Sequence, residues 1–227
     1  MLPVQDVLPS RSRPWVTTAL VAALATTYGV QILLDQTETR RLIFTYGVLP
    51  AQLTWSTLFT SIFLARGVVD AAAGLLALWV FGDNVEDRLG RPRFLGLVLG
   101  AGPISALLAA RMAADFGTYL AGPSGLAGAV IGAHLMLFPQ SRILMLVPAW
   151  RGFDLVELPA ALVALLWLIT AGIIGSAWAT VPTAVPPAFL HQMAGLITGA
   201  AAARLLARPN RLRCDWWNVP MARYSDR

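Results

Sequence analysis

Long apolar stretches separated by short polar breaks set the pattern of this chain. Trp15 to Leu34 carries no charge and has the roughly 20 residues that a helix needs to cross a bilayer. It predicts a first span. Residues 42–66 are apolar and aromatic but broken by Gly47 and Pro50, which predicts a loop lying in the interface. Further apolar runs predict a second span over Gly67–Gly82, a third over Phe94–Ala113 and a fourth over Gly122–Phe138. A fifth is expected over Leu155–Ala179 and a sixth over Pro187–Leu206. Residues 1–14 form a polar, proline-containing lead and 208–227 an arginine- and tryptophan-bearing tail, leaving 15–207 as the membrane domain. The fold class expected is an all-α membrane protein, a bundle of six transmembrane helices.

The fourth run opens on "AGPSGLAG", a serine between glycines. Gly125, Gly128 and Gly132 fall on it, the last two four apart on one helical face. Gly195 and Gly199 repeat that spacing in the sixth run, followed by Ala203. Small residues so spaced let helix backbones approach closely in lipid. The fourth and sixth spans are therefore expected to pack together, burying the head of the fourth in the bundle.

Composition agrees with the pattern. The chain is 57% hydrophobic and 13% charged, against about a quarter charged in a soluble domain. Its net charge of +5 comes from 17 basic residues, all arginine. With six spans, all of them except Arg40, Arg41, Arg66 and Arg111 fall on the side of the two termini. The positive-inside rule then places both termini in the cytoplasm, and the expected location is a bacterial inner membrane. No basic, aromatic-interleaved surface suggests a nucleic-acid partner. Cys214 is the sole cysteine, so no intramolecular disulfide forms. His134 and His191 are the two histidines, too few donors for a metal site, and no cofactor is expected. The first apolar run exceeds a signal-peptide core and reads as an anchor. A transporter would show inverted repeats and paired intramembrane charges, and neither is visible.

Three segments, in order, carry a family resemblance: "TLFTSIFLARG" with "LLALWVFGDNVEDRLGRPRF", then "GPSGLAGAVIGAHLMLFP", then "HQMAGLITGAAAARLL". From about residue 47 to 207 the chain resembles the rhomboids, intramembrane serine proteases. The resemblance implies a rhomboid-like six-helix bundle with a nucleophilic serine at the head of the fourth span, here Ser124. It implies a histidine base on the sixth span and a histidine and an asparagine on the second that stabilise the oxyanion. Counting back from Gly195 and Gly199 puts Gln192 in the base's slot. His191 lies one residue earlier, about 100° around the helix, and is expected to point away. Aligning "FGDNVED" puts Asp70 and Gly74 in the oxyanion slots.

Glutamine cannot serve as a general base near neutral pH. Gly74 offers no donor, and an anionic Asp70 would repel an oxyanion. The resemblance therefore implies a pseudoprotease, with Ser124 vestigial and serving as a small packing residue. Such a protein would bind the transmembrane helices of integral membrane proteins in the bilayer without cleaving them, as a structural or assembly subunit of a larger complex. The alternative is an active protease using Ser124 with His191 as base. His134, ten residues beyond Ser124, is too far along the helix to serve. Arg66 is the expected partner of Asp70. Glu86 and Asp87 are expected in a charge network with Arg88, Arg91 and Arg93. Trp216 and Trp217 suit either the lipid headgroup level or a partner interface.

Overall fold

Two of the breaks in the apolar pattern turn out to be helical. Asp35 caps a helix by accepting a hydrogen bond from the Glu38 backbone N–H at 2.7 Å, which starts a turn where the first span ends. The charged segment after Gly82 also stays helical, with Gly90 at φ +82° stopping it. The computed structural model describes residues 2–6, 13–50, 53–65, 67–112, 122–149, 152–177 and 187–207. In chain order these form β1 (Leu2–Asp6), α1 (Trp15–Leu33), α2 (Gln36–Tyr46), α3 (Trp55–Thr60) and a 3-10 turn (Ser61–Phe63). There follow α4 (Val68–Leu89), α5 (Arg91–Met112), α6 (Ser124–Leu137), β2 (Arg142–Ala149), β3 (Gly152–Pro159), α7 (Ala160–Ala177) and α8 (Pro187–Leu206). Among the described residues three helices, α1, α4 and α5, are long and apolar enough to cross a membrane; α6 and residues 160–170 of α7 are shorter and apolar.

The fold is mostly helical, but an all-α reading needs correction. A three-stranded antiparallel sheet, in the order β1-β2-β3, joins residues 2–6 to the hairpin at 142–159. Residues 2–6 of the expected lead are thus a strand. Pro3 is accommodated because β1 is an edge strand whose register shifts between Pro3 and Gln5. The fifth helix begins at Ala160, five residues later than the apolar run suggested, because Gly152–Pro159 pairs as a strand. Its polar residues, Asp154 and Glu157, are exposed in that strand.

At the centre stands α6. All residues from Gly122 to His134 are buried, whichever way they face. A helix apolar all round belongs inside a bundle. Neighbours α8, α4 and α5 surround it. His134 is fully buried, its Nε2 2.8 Å from Ser141 Oγ and its ring edge-on to Phe81 at 5.0 Å. That tie fixes the exit of α6.

Polar side chains inside the bundle bond to backbone groups of distant elements. Glu86, 1% exposed, takes hydrogen bonds from the backbone N–H groups of Val16 (3.1 Å) and Thr17 (2.7 Å) and from Thr17 Oγ1 (2.8 Å). No side chain of α1 caps its own start, so a carboxylate from α4 satisfies N–H groups that every helix leaves open. Negative charge at that end also meets the helix dipole favourably. Arg91 Nε lies 4.0 Å from Glu86, and Arg93 Nη1 donates to the Leu206 carbonyl at 2.7 Å, closing the end of α8. The expected charge network is therefore largely one of helix ends. Nearer the other end, Gln31 of α1 donates to the Phe63 carbonyl (3.1 Å) and accepts from Ala65 N–H (3.0 Å), clamping the chain just before α4.

Glu86→Ala removes three bonds to a carboxylate acceptor, two of them buried, and takes the acceptor from two backbone N–H groups. The expected loss is on the order of 2–4 kcal/mol, read by reversible unfolding in mixed micelles. Thr17→Val, which removes one bond of the three, should cost visibly less; equal losses would show that the cap is not the source.

Candidate active site at the head of α6

The turn into α6 is set by sequence. Gly122 has φ +122°, a conformation that side chains rarely adopt, and a Cβ there would lie 2.5 Å from Asp70 Oδ2. Its N–H donates to the Ser61 carbonyl at 3.1 Å, tying the turn to the 3-10 turn before α4. Pro123 then fixes the approach, and Ser124 is the first helical residue. Pro123, at the N-cap of α6, offers no side-chain cap, and the first N–H groups of any helix have no partner within it.

Helices α6 and α8 run parallel and touch backbone to backbone. A methyl on Gly128 would overlap the Gln192 carbonyl, and one on Gly132 the Leu196 carbonyl. From the other side, methyls on Gly195 and Gly199 would overlap the carbonyls of Gly125 and Ala129. Partner numbers rise together along the two helices, so their N-termini lie at the same end. Carbonyls resting on glycine Cα groups are the geometry of weak C–H···O bonds, and a side chain at any of these positions would part the helices.

That contact delivers His191 to Ser124. Ser124 Oγ and His191 Nδ1 are 3.2 Å apart, and the two residues are 7% and 2% exposed. The expectation that Gln192 fills the base's place and that His191 turns away is corrected. Residues four apart share a helix face as residues three apart do. Stepping back four residues from Gly195 turns the helix by about 40° off the seam, whereas stepping back three turns it by about 60° the other way. His191 is thus the better aligned of the two. Gln192 is buried, and its backbone carbonyl is the atom that meets Gly128.

Gly125 makes room for the His191 ring. A methyl there would overlap His191 Nε2 and Cδ2 and would meet Ser105 Oγ of α5. Ser105 was missed by sequence reading. It is fully buried and donates to the Gly102 carbonyl at 2.6 Å. Its only signal was a hydroxyl among small and apolar residues in "GAGPISALL".

The two remaining slots lie beside the serine but carry different chemistry. Gly74 packs against the ring of Pro123, whose Cβ and Cγ occupy the space that a side chain at 74 would need. Asp70 places its carboxylate against Gly122. Arg66, its expected partner, and Trp216 and Trp217 lie outside the described residues. His134 is on the far part of α6 and does not join the site. Among the described residues no cluster of three or more His, Cys, Asp or Glu could hold a metal ion.

Compared with known protein families, residues 52–209 match the rhomboid domain. No curated protein matches the chain.

The seam predicts an asymmetry among glycines. In a helix interior, Gly→Ala alone gains roughly 0.5–1 kcal/mol. Gly96→Ala, with nothing within 4 Å of the new methyl, should gain about that much. Gly132→Ala and Gly199→Ala should instead lose about 1–3 kcal/mol through overpacking. Thermal unfolding in detergent reads both; a gain at 132 or 199 would refute the close contact.

Proposed function

Given that this chain belongs to the rhomboid family, with its domain over residues 52–209, we propose that it is an integral membrane serine endopeptidase that cleaves transmembrane segments with a Ser124–His191 dyad. The observation carrying this reading is the 3.2 Å approach of Ser124 Oγ to His191 Nδ1 inside a buried site. A nucleophile within hydrogen-bond reach of a base is the arrangement that covalent acyl transfer requires.

In this mechanism Ser124 Oγ attacks a peptide carbonyl while His191 Nδ1 takes its proton. The tetrahedral intermediate collapses as His191 returns that proton to the leaving amine. Water, activated by the same nitrogen, then hydrolyses the acyl-enzyme. In this mechanism backbone N–H groups at the first turn of α6 supply oxyanion stabilisation at the positive end of the helix. Gly74 has no side chain to donate. Losing one oxyanion donor costs about 10²–10³ in rate, so turnover should be slow.

The site's depth supports an intramembrane substrate. Six crossings by α1, α4, α5, α6, α7 and α8, with both termini in the cytoplasm, agree with the arginine distribution. A helix of 14 residues is about 21 Å long, short of a hydrocarbon core of roughly 30 Å. If its C-terminal end sits at the cytoplasmic face, Ser124 lies within the membrane.

A second reading is favoured by Gly74 and Asp70: a pseudoprotease that holds transmembrane helices, as a subunit of a larger membrane complex, without cutting them. The packing of Pro123 into the space at Gly74 supports it.

Labelling of the full chain in detergent by a fluorophosphonate probe separates the two. Labelling is expected, abolished by Ser124→Ala and reduced at least 100-fold by His191→Ala. Gln192→Ala should leave it within a few-fold. No labelling of the folded protein would overturn the protease reading and leave the helix-binding one.

A further inference from the structure

A dyad that uses Nδ1 as its base raises a question about the other nitrogen. For Nδ1 to accept the proton of Ser124, the neutral ring must carry its own proton on Nε2. Which nitrogen is protonated is set by what the other one faces. Nε2 of His191 and the hydroxyl of Ser105 on α5 both border the space beside Gly125. A single point, the place of a Cβ on Gly125, lies within 2.5 Å of both His191 Nε2 and Ser105 Oγ. The two atoms are thus no more than twice that distance apart.

Ser105 is fit to accept rather than donate. Its own proton is committed to the Gly102 carbonyl, one turn back on α5, at 2.6 Å. Its oxygen lone pairs are what remain, and it is fully buried, so water does not compete for them. A glycine at 125 leaves the space between oxygen and ring open; any side chain there would fill it.

We propose that Ser105 is a positioning residue for His191: its Oγ accepts the Nε2 proton, which holds the ring in the tautomer whose Nδ1 lone pair faces Ser124. A small turn of the imidazole about its Cβ–Cγ bond closes the contact, as catalytic hydrogen bonds close when substrate binds. This rests on the reading of Ser124 and His191 as a catalytic dyad. It adds a third member from a helix that carries neither of the other two. The group is a neutral hydroxyl, so it fixes orientation and tautomer without adding charge to a site in lipid.

Two readouts on the full chain in detergent test it. The chain has two histidines, so ¹⁵N-histidine NMR gives two ring signatures, and that of His191 is the one lost in His191→Gln. In the wild type it should report a proton on Nε2. In Ser105→Ala it should become a mixture of both tautomers, and fluorophosphonate labelling of Ser124 should slow by roughly 10–100-fold. Ser105→Cys, which keeps the shape with a slightly larger atom and a weaker acceptor, should behave in the same direction and serves if the alanine variant unfolds. A folded Ser105→Ala protein with the wild-type tautomer and labelling rate overturns the proposal while the dyad stands. A tautomer shift in a chain whose wild type never labels would sink the protease reading and keep the role of Ser105.

Discussion

Everything at the site depends on the backbone contact between α6 and α8. In lipid no hydrophobic force draws two apolar helices together, so association relies on close packing and on polar contacts across the interface. Four glycines supply the closeness here: Gly128 and Gly132 on one helix, Gly195 and Gly199 on the other. Because the helices are parallel, their N-terminal ends coincide, and the residues at those ends, Ser124 and His191, meet. The dyad distance is thus a consequence of the glycine seam.

Other polar groups fix the bundle around that seam. Glu86 joins α4 to the start of α1, Arg93 joins α5 to the end of α8, and Gln31 joins α1 to the chain before α4. Each uses a side chain to satisfy backbone groups that a helix end or an irregular segment leaves open. The site itself is pinned by a backbone bond, from the Gly122 N–H to the Ser61 carbonyl.

Much of this was legible in the sequence. Uninterrupted apolar runs marked α1, α5, α6 and α8 within a few residues, because a membrane helix must be apolar along its length. Glycine spacing pointed to the α6–α8 contact, and the serine at the head of the run marked the site. His191 was misplaced because three-residue spacing from the glycines was taken as the only way onto their face. The ridge at four-residue spacing, His191–Gly195–Gly199, serves as well. Ser105 could not be found, since a lone serine in an apolar helix has no periodic signature. The sheet was missed for a related reason: "DLVELP" adjoins the apolar run of α7, and periodicity alone does not divide a short strand from the helix it leads into. Strand β1, which pairs with β2, lies some 140 positions from it, beyond the reach of any local pattern.

That distant pairing constrains how the protein can be made. Two strands can share hydrogen bonds only when they stand on the same side of the bilayer, so the chain between β1 and β2 must cross an even number of times. The helices α1, α4, α5 and α6 lie between them. The sheet therefore ties residues 2–6 to a hairpin that follows α6, and it cannot close until the chain through α6 is in place. It acts as a late latch: a chain whose β1 and β2 end on opposite faces cannot form it.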